Sequence, residues 1–252
     1  MKSYYLLIIV VTLLVPVALS FDKAIHFRRK WRYAAWSIGF VSALFLAWDM
    51  AFVQLGIWSF SKEYTLGPNI LGMPIEEFLY FLALPYLALF IYEALLAHFP
   101  RWSFRSVTVS ISWILLVACV FVVLQYFSKL YTSITAALII FTVLNQITIT
   151  KAGYRSHLYI AWILCCLPLL LINGLMCNLP IIEYNEEHLT GLKLANIPVE
   201  NFFYLLLYMM WSIALFEKYQ RRRERRHARK MARREKRAVQ GPDQHTHPTT
   251  NH

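Results

Sequence analysis

Long apolar runs separated by short polar segments dominate the chain. Seven of these runs have lengths near the roughly 20 residues that an α-helix needs to cross a bilayer. They cover residues 4–20, 33–55, 74–97, 107–127, 130–150, 157–178 and 198–216. Because 58% of all residues are hydrophobic, the chain has enough apolar surface to face lipid along most of its length. The pattern predicts an all-α integral membrane protein with about seven transmembrane helices.

The basic residues indicate which ends of these helices face the cytoplasm. Lys and Arg cluster in alternate connections, at 23–32, 101–105, 151–155 and 218–237. Basic residues collect on the cytoplasmic side, so we predict a cell-membrane protein with its N-terminus outside and its C-terminus in the cytoplasm. A signal peptide ending at Ala18-Leu19-Ser20 is the alternative interpretation of the first run. The heavier positive charge after this run favours a membrane span.

The formal net charge of +11 raises the question of a nucleic-acid partner. Much of this charge lies in the tail after Glu217, in a segment rich in Arg, Lys and Ala. Such a segment predicts a basic helix that extends the last span and contacts anionic lipid headgroups. Residues 239–252 are expected to be disordered. We therefore expect the lipid bilayer as a partner and no nucleic acid.

The sequence lacks the motifs of several kinds of cofactor site. No Gly-rich phosphate-binding motif is present, and span 7 holds no lysine that could form a retinal Schiff base. The four cysteines lie in or beside apolar runs, without the spacing of a disulfide framework or a metal site. We expect neither a cofactor nor a metal.

An internal repeat organises the chain. A shift of 124 residues, without a gap, places Pro74-Ile75-Glu76-Glu77-Phe78 over Pro198-Val199-Glu200-Asn201-Phe202. The same shift pairs Asp49 with Asn173 and Tyr80 with Tyr204. Four spans separate equivalent helices, so both copies have the same orientation in the membrane. They are parallel repeats.

The repeat divides the chain into four parts. We assign a first three-helix repeat to 1–106, a connector span to 107–127, a second three-helix repeat to 128–218 and a basic tail to 219–252. Each repeat has a long Gly-containing loop before its third helix, at 56–73 and 179–197. Both loops are predicted on the outer side, and long loops in a compact bundle are more often functional than idle.

The acidic residues inside the predicted spans are the candidates for catalysis: Asp49, Glu76, Glu77 and Glu200. A charge inside a membrane is unfavourable by about 2.5 kcal/mol or more, so such residues are functional candidates. The alternative is structural, because a glutamate just after a proline at a helix start complements the helix dipole. Tyr80 and Tyr204 each follow a glutamate by four residues and share its helix face.

Aromatic residues accompany these acids. The candidate substrate-binding residues are Trp48, Phe52, Trp58, Phe78, Tyr80, Phe202 and Tyr204. Aromatic faces attract cations by about 0.5–2 kcal/mol. Buried acids with aromatic neighbours and no metal or nucleotide pattern therefore point to proton chemistry at carbon or to ion passage.

These motifs resemble those of the small membrane-bound lycopene cyclases. The resemblance rests on Trp48-Asp49-x-x-Phe52, Gly56-Ile57-Trp58-x-Phe60, Gly67 and Pro74-Ile75-Glu76-Glu77-Phe78. Members occur as paired short subunits or as a fused tandem chain, and this chain resembles the fused form over about residues 1–218. It departs from the family pattern at Asn201, where a second acid is usual.

The resemblance implies cyclisation of the linear ψ-ends of lycopene to β-rings, without net redox change, in a prenyltransferase-like helical bundle. It implies lycopene or a related acyclic carotenoid as substrate, and other carotenoid-pathway enzymes as partners. Of the matched acids, we expect Glu76 and Glu200 to form the acid–base pair. Glu77 and Asp49 would tune that pair, and Tyr80 and Tyr204 would hydrogen-bond to it.

Two other classes of function remain open from the sequence. The acids could form a cation pathway in a transporter or ion channel, or the protein could bind a carotenoid without converting it. The two repeats are unequal, because Asp49 and Glu77 of the first copy are replaced by Asn173 and Asn201 in the second, which keeps only Glu200. This inequality favours one composite site.

Overall fold

The computed structural model describes residues 4–102, 104–148 and 154–239. Most of this part is helical. The α-helices are α1 (Tyr4–Leu19), α2 (Trp31–Gln54), α3 (Ile75–His98), α4 (Arg105–Gln125), α5 (Leu130–Thr148), α6 (Arg155–Asn178) and α7 (Val199–Val239). Short strands lie in the connections: β1 (Trp58–Phe60), β2 (Asn69–Ile70), β3 (Met73–Pro74), β4 (Ile182–Tyr184), β5 (Lys193–Leu194) and β6 (Ile197–Pro198). Two 3-10 helices cover Phe27–Lys30 and Glu186–His188.

The predicted all-α membrane architecture is confirmed. Among the described residues, six helices, α2 to α7, are long and apolar enough to cross a membrane. The first apolar run also forms a helix, but α1 has only 16 residues. At 1.5 Å per residue, its length of about 24 Å is less than the roughly 30 Å thickness of the hydrocarbon core. A seventh span at α1 therefore stays a prediction.

The predicted helical extension of the last span is confirmed, since α7 continues through the basic segment to Val239. Other predicted features lie outside the described residues. These are the basic residues Lys2 and Lys151 and the end of the tail from residue 240 onward.

The structure reproduces the repeat element by element. The bounds of α2 and α6 differ by the same 124 residues as the sequence motifs, and so do those of β1 and β4. The helices α3 and α7 likewise begin at equivalent residues, Ile75 and Val199. The two copies therefore share local structure, which follows from their matched glycines, prolines and apolar positions.

The long loops contain matched hairpins that the apolar pattern did not predict. Residues Leu71 and Gly72 connect β2 to β3 with φ of 51° and 86°, and Ala195 and Asn196 connect β5 to β6 with φ of 52° and 65°. Two successive residues with positive φ are typical of type I′ turns, which match the twist of paired strands. Gly and Asn at the second position tolerate this conformation. Each hairpin leads directly into the third helix of its repeat, α3 or α7.

The two repeats meet at an antiparallel strand pair, β1 with β4. Ser59 lies opposite Glu183, its own equivalent in the other repeat. Beyond the pair, the Ser61 N–H donates to the Ile181 carbonyl at 3.0 Å and the Asn185 N–H donates to the Ile57 carbonyl at 2.8 Å. These two bonds interchange when the repeats are exchanged. A local two-fold axis therefore passes between Ser59 and Glu183.

The helices obey the same symmetry. Across the repeats, α2 packs on α7 and α3 packs on α6; within them, α1 packs on α3 and α5 packs on α7. The connector helix α4 packs mainly on α5 at the periphery, where large apolar side chains such as Leu124 and Phe121 are exposed. The four helices α2, α3, α6 and α7 thus surround the axis. They form the frame of the site described next.

Candidate active site

A cavity lies between the two repeats, under the β1–β4 pair. Its walls come from α2, α3, α5, α6 and α7, from Trp58 on β1, and from Ile182 and Tyr184 on β4. The polar and aromatic side chains that line it are Asp49, Trp58, Glu77, Tyr80, Phe81, Tyr131, Asn173, Tyr184, Asn201, Tyr204 and Tyr208. None of the described lining residues is a Lys, Arg or His. The cavity therefore holds carboxyl groups without a cationic partner on its wall.

Two reciprocal hydrogen bonds join the repeats across the cavity. Tyr80 Oη donates to Asn173 Oδ1 at 2.9 Å, and Tyr204 Oη donates to Asp49 Oδ1 at 2.5 Å. The local two-fold axis relates these bonds, because Tyr204 is equivalent to Tyr80 and Asn173 to Asp49. One acceptor is an amide and the other is a carboxyl. The cavity is thus symmetric in shape and asymmetric in chemistry.

A second pair of tyrosines contacts the other matched position. Tyr5 in α1 donates to Glu77 Oε2, and Tyr131 in α5 donates to Asn201 Oδ1 at 3.0 Å. Both acceptors are almost fully buried. A tyrosine from the first helix of each repeat therefore fixes the residue just after the Pro-x-Glu motif.

The structure explains the departure from the family pattern at Asn201. Its amide Nδ2 donates to Tyr184 Oη at 2.8 Å while its Oδ1 accepts from Tyr131, whereas a carboxylate, which has no donor, could only accept from these hydroxyls. Tyr184 has Phe60 as its equivalent in the first repeat, so Glu77 has no matching hydroxyl there. Burial raises the pKa of the Tyr184 phenol well above its usual range, which keeps the hydroxyl protonated. An amide thus suits the second repeat.

Glu76 and Glu200 have a different environment from Glu77. Glu76 Oε1 accepts from the Leu66 N–H at 2.6 Å, and Glu200 Oε1 accepts from the Thr190 N–H at 2.7 Å. Leu66 and Thr190 are equivalent positions in the two outer loops. Glu200 Oε1 also accepts from the hydroxyls of Thr190 at 2.8 Å and Thr132 at 2.7 Å. Each glutamate therefore fastens the loop of its own repeat.

The structure thus separates the four predicted acids into two pairs. Asp49 and Glu77 line the cavity between the repeats, and Glu76 and Glu200 are not among its lining residues. Among the described residues, Oε2 of Glu76 and Oε2 of Glu200 are buried without a hydrogen-bond partner. Glu200 faces a separate, mainly apolar cavity between α4, α5 and α7.

A helix proline creates one further polar contact beside the cavity. Pro85 lies inside α3 and lacks the N–H that would bond to the carbonyl of Phe81. That carbonyl instead accepts from Ser42 Oγ at 2.5 Å and Tyr208 Oη at 3.2 Å. These bonds attach α2 and α7 to α3, and they satisfy a backbone group that lipid could not.

The predicted aromatic residues fall into three groups. Trp58, Tyr80 and Tyr204 line the cavity. Trp48 and Phe52 lie behind them, with ring centroids 5.5 Å apart and Phe52 5.2 Å from Trp58. Neither Phe78 nor Phe202 lines the cavity.

Sequence reasoning missed several lining tyrosines, above all Tyr131 and Tyr184, and the supporting Tyr5. The 124-residue shift places Tyr131 over Leu7, so the matched role of Tyr5 and Tyr131 is not visible in a gapless alignment. An alignment that shifts α5 by two further residues relative to α1 would have revealed this match. Tyr184 lies in a strand of three residues, too short for a periodic pattern.

Comparison with known families gives a direct match. A family model described as lycopene cyclase matches the chain twice, over residues 2–95 and 128–219. The first matched region contains α1, α2 and most of α3, the second contains α5, α6 and the first half of α7, and together they cover well over half of the chain. No curated protein and no solved structure matches the chain. The prenyltransferase-like arrangement expected from the sequence therefore stays a prediction.

Proposed function

The chain belongs to the lycopene cyclase family in its fused tandem form, and from this premise we propose that it converts the ψ-ends of lycopene to β-rings. Membership of this family makes the protein an enzyme of carotenoid cyclisation with a carotenoid substrate. The observation that carries the finer proposal is the cavity between the repeats. It combines two buried carboxyl groups with an aromatic wall, and none of its described lining residues carries a cationic side chain.

The reaction needs one proton donor and one proton acceptor. A protonated carboxyl adds its proton to the terminal double bond of the substrate and leaves a carbocation. The next double bond attacks this cation and closes the ring, which moves the positive charge to a ring carbon. A base then removes a proton from the ring and restores a double bond. One proton enters and one leaves, so the oxidation state is unchanged.

We assign the proton transfers to Asp49 and Glu77. Both line the cavity, and the cost of burying a charge away from cations favours a neutral, proton-bearing carboxyl. Repulsion between two nearby carboxylates opposes ionisation of both at once. Tyr204 and Tyr5 hold these acids in position through their hydroxyls.

Glu76 and Glu200, the acid–base pair expected from the sequence, are positioning residues in this proposal. They bind the outer loops through Leu66 and Thr190, and these loops precede the β-hairpins that start α3 and α7. The alternative assignment, in which Glu76 and Glu200 transfer the protons, is decided by the experiment below.

The aromatic wall suits the intermediate. Trp58, Tyr131 and Tyr204 form a continuous cluster, with centroids 5.2 Å apart for Trp58 and Tyr131 and 5.8 Å apart for Tyr131 and Tyr204. Aromatic faces stabilise a cation by about 0.5–2 kcal/mol each. They also exclude water, which would otherwise capture the carbocation.

The proposed orientation places the outer loops and β-strands outside and the end of α7 in the cytoplasm. Contacts at the end of the helix bundle opposite the strands support the placement of the basic segments on one side of the membrane. Lys30 forms an ion pair with Glu93, and Arg223 donates to Tyr33 Oη. Basic segments that are far apart in sequence therefore lie at one end, as the positive-inside rule requires. The basic part of α7 would contact anionic headgroups there.

Pigment analysis tests the proposed function. Lycopene-producing bacteria that express the chain should accumulate cyclic carotenoid, which chromatography separates from lycopene. A channel or a carotenoid-binding protein would leave the lycopene unconverted. Asp49→Asn and Glu77→Gln should accumulate lycopene, while Glu183→Gln, an exposed position on β4, should cyclise as the unchanged chain does.

The same assay decides between the two pairs of acids. Glu76→Gln and Glu200→Gln keep an oxygen that can accept from the loop N–H, so we expect substantial cyclic product from both. Loss of cyclisation in these two variants, with activity retained in Asp49→Asn and Glu77→Gln, would transfer the proton chemistry to Glu76 and Glu200. Membrane-extracted protein levels control for folding.

A further inference from the structure

The cavity between the repeats is too small for a whole carotenoid. Its volume is about 70 Å³, enough for a few water molecules and far less than a forty-carbon hydrocarbon requires. If the proposed function holds, most of the substrate must lie elsewhere while one end reacts. The remaining cavities of the described structure therefore show where the polyene chain could lie.

Two grooves on the lipid side occupy related positions. One lies between α1, α3 and α6, and the other between α5, α7 and α2. Since α5, α7 and α2 are the equivalents of α1, α3 and α6, the local two-fold axis relates the helices that form the grooves. Leu87 and Pro168 in the first groove match Trp211 and Leu44 in the second, whereas Asn145 and Gln146 lie further along α5 than the equivalents of the α1 lining residues. We call them the α1–α6 groove and the α5–α2 groove. Each lies where the first helix of one repeat approaches the second helix of the other.

The α1–α6 groove is apolar. Its only polar side chain among the described lining residues is Thr12, whose hydroxyl already donates to the Ile8 carbonyl at 2.7 Å. A hydrocarbon can occupy this groove without leaving a polar group unpaired. Its volume, about 450 Å³, is much larger than that of the central cavity.

The α5–α2 groove has more polar groups in its lining than the α1–α6 groove and is partly filled. Its lining includes Thr142, Asn145 and Gln146. Trp211, the equivalent of Leu87, extends into it and donates to Thr142 Oγ1 at 2.8 Å. A polyene there would compete with the indole ring of Trp211 for the same space.

The α1–α6 groove lies next to the proposed site, on the other face of two helices. On α6, Pro168 and Ile172 line the groove, while the next residues along the helix, Leu169 and Asn173, line the cavity. On α1, Ile8 lines the groove one turn after Tyr5, whose hydroxyl donates to Glu77. A single layer of side chains therefore separates the groove from a carboxyl of the cavity.

We propose that the α1–α6 groove binds the polyene chain of the carotenoid, while one ψ-end reaches the cavity between the repeats. The α5–α2 groove has lost this capacity through Trp211 and its polar lining. The proposal rests on the proposed cyclase function and adds a substrate-binding site to it. Leu87, Pro168 and Ile172 line the groove and would contact the polyene.

The test makes the α1–α6 groove resemble its counterpart. Leu87→Trp introduces the side chain that occupies the equivalent position of the other groove. Leu171→Trp is a second variant, at a groove residue that is 64% exposed, where a larger side chain need not disturb the core. Ile163→Trp is the matched control, since this α6 residue is 63% exposed and does not line the groove.

Steady-state kinetics with lycopene in proteoliposomes give the readout. Both groove variants should lower kcat/KM by about tenfold or more, the scale of an overpacked site, mainly through a higher KM. Ile163→Trp should leave kcat/KM within about twofold of the unchanged chain.

The outcomes separate the two proposals. No cyclic product from the unchanged chain would contradict the cyclase function itself. Normal cyclisation by the unchanged chain, with no rise in KM for Leu87→Trp and Leu171→Trp, would overturn the groove alone. An equal rise in KM for Ile163→Trp would also overturn the groove proposal, because any bulky side chain that faces lipid would then produce the same effect.

Discussion

The paired tyrosine bonds allow a comparison in which one hydroxyl group is removed from each of two equivalent sites. Tyr204→Phe deletes the donor to Asp49, and Tyr80→Phe deletes the donor to Asn173. Both changes remove the same atom from a tyrosine in the third helix of a repeat, and Tyr80 is buried while Tyr204 is partly buried. If Asp49 transfers protons, the two variants should differ in activity although their structural damage is alike.

The expected difference follows from the acceptors. Asp49 passes through an ionised state when it gives up or receives a proton, and hydrogen bonds to charged groups contribute about 1.5–3 kcal/mol. Asn173 stays neutral, and bonds between neutral groups contribute about 0.5–1.5 kcal/mol. At 1.36 kcal/mol for each tenfold change, Tyr204→Phe should lower kcat/KM roughly 10- to 150-fold. Tyr80→Phe should lower it roughly 2- to 12-fold.

Purified protein in liposomes containing lycopene provides the assay, with cyclic product measured over time. The thermal unfolding midpoint of both variants serves as the control and should fall by similar amounts. Equal losses of kcat/KM, or a larger loss in Tyr80→Phe, would refute the assignment of proton chemistry to the Asp49 side of the axis.

Two further predictions concern assembly and orientation. If the chain is divided near Ser128, fragments 1–128 and 129–252 should each be inactive alone and should cyclise lycopene when co-expressed. The reason is that the cavity takes residues from both repeats. Cyclic carotenoid from one fragment alone would contradict the composite site. A cysteine introduced at Asn69 or Glu186 should react with a membrane-impermeant thiol reagent on intact cells. One at Ser103, which lies outside the described residues, should react only after lysis; the opposite labelling pattern would reverse the proposed orientation.

The helices and their repeat could be predicted from the sequence because the membrane imposes a simple rule. A segment that crosses lipid must satisfy its own backbone and remain apolar for about 20 residues, so α2 to α7 are visible as apolar runs. The β-strands could not be predicted in this way. The hairpin strands have two residues each, and their signal lies in turn conformations at Leu71-Gly72 and Ala195-Asn196.

The sequence marks Asp49, Glu76, Glu77 and Glu200 as candidate acids, but it does not predict the directions in which their side chains point. Glu76 and Glu77 are neighbours in one helix, and successive side chains point about 100° apart. Only the packing of α3 against α6 and α7 determines that Glu77 lines the cavity and that Glu76 meets the Leu66 N–H. The match between Tyr131 and Tyr5 was likewise hidden, because α5 and α1 align with a shift of 126 residues and not with the 124-residue shift of the other helices.

The most direct measurement is the mass of the product formed in heavy water. Carboxyl protons exchange with solvent, whereas the proton lost from the ring was bound to carbon in the substrate. Unlabelled lycopene incubated with the protein in D₂O should therefore yield cyclic carotenoid with one deuterium for each ring formed. Cyclic product without deuterium, or with a mass that shows loss of hydrogen, would contradict proton-initiated cyclisation without redox change.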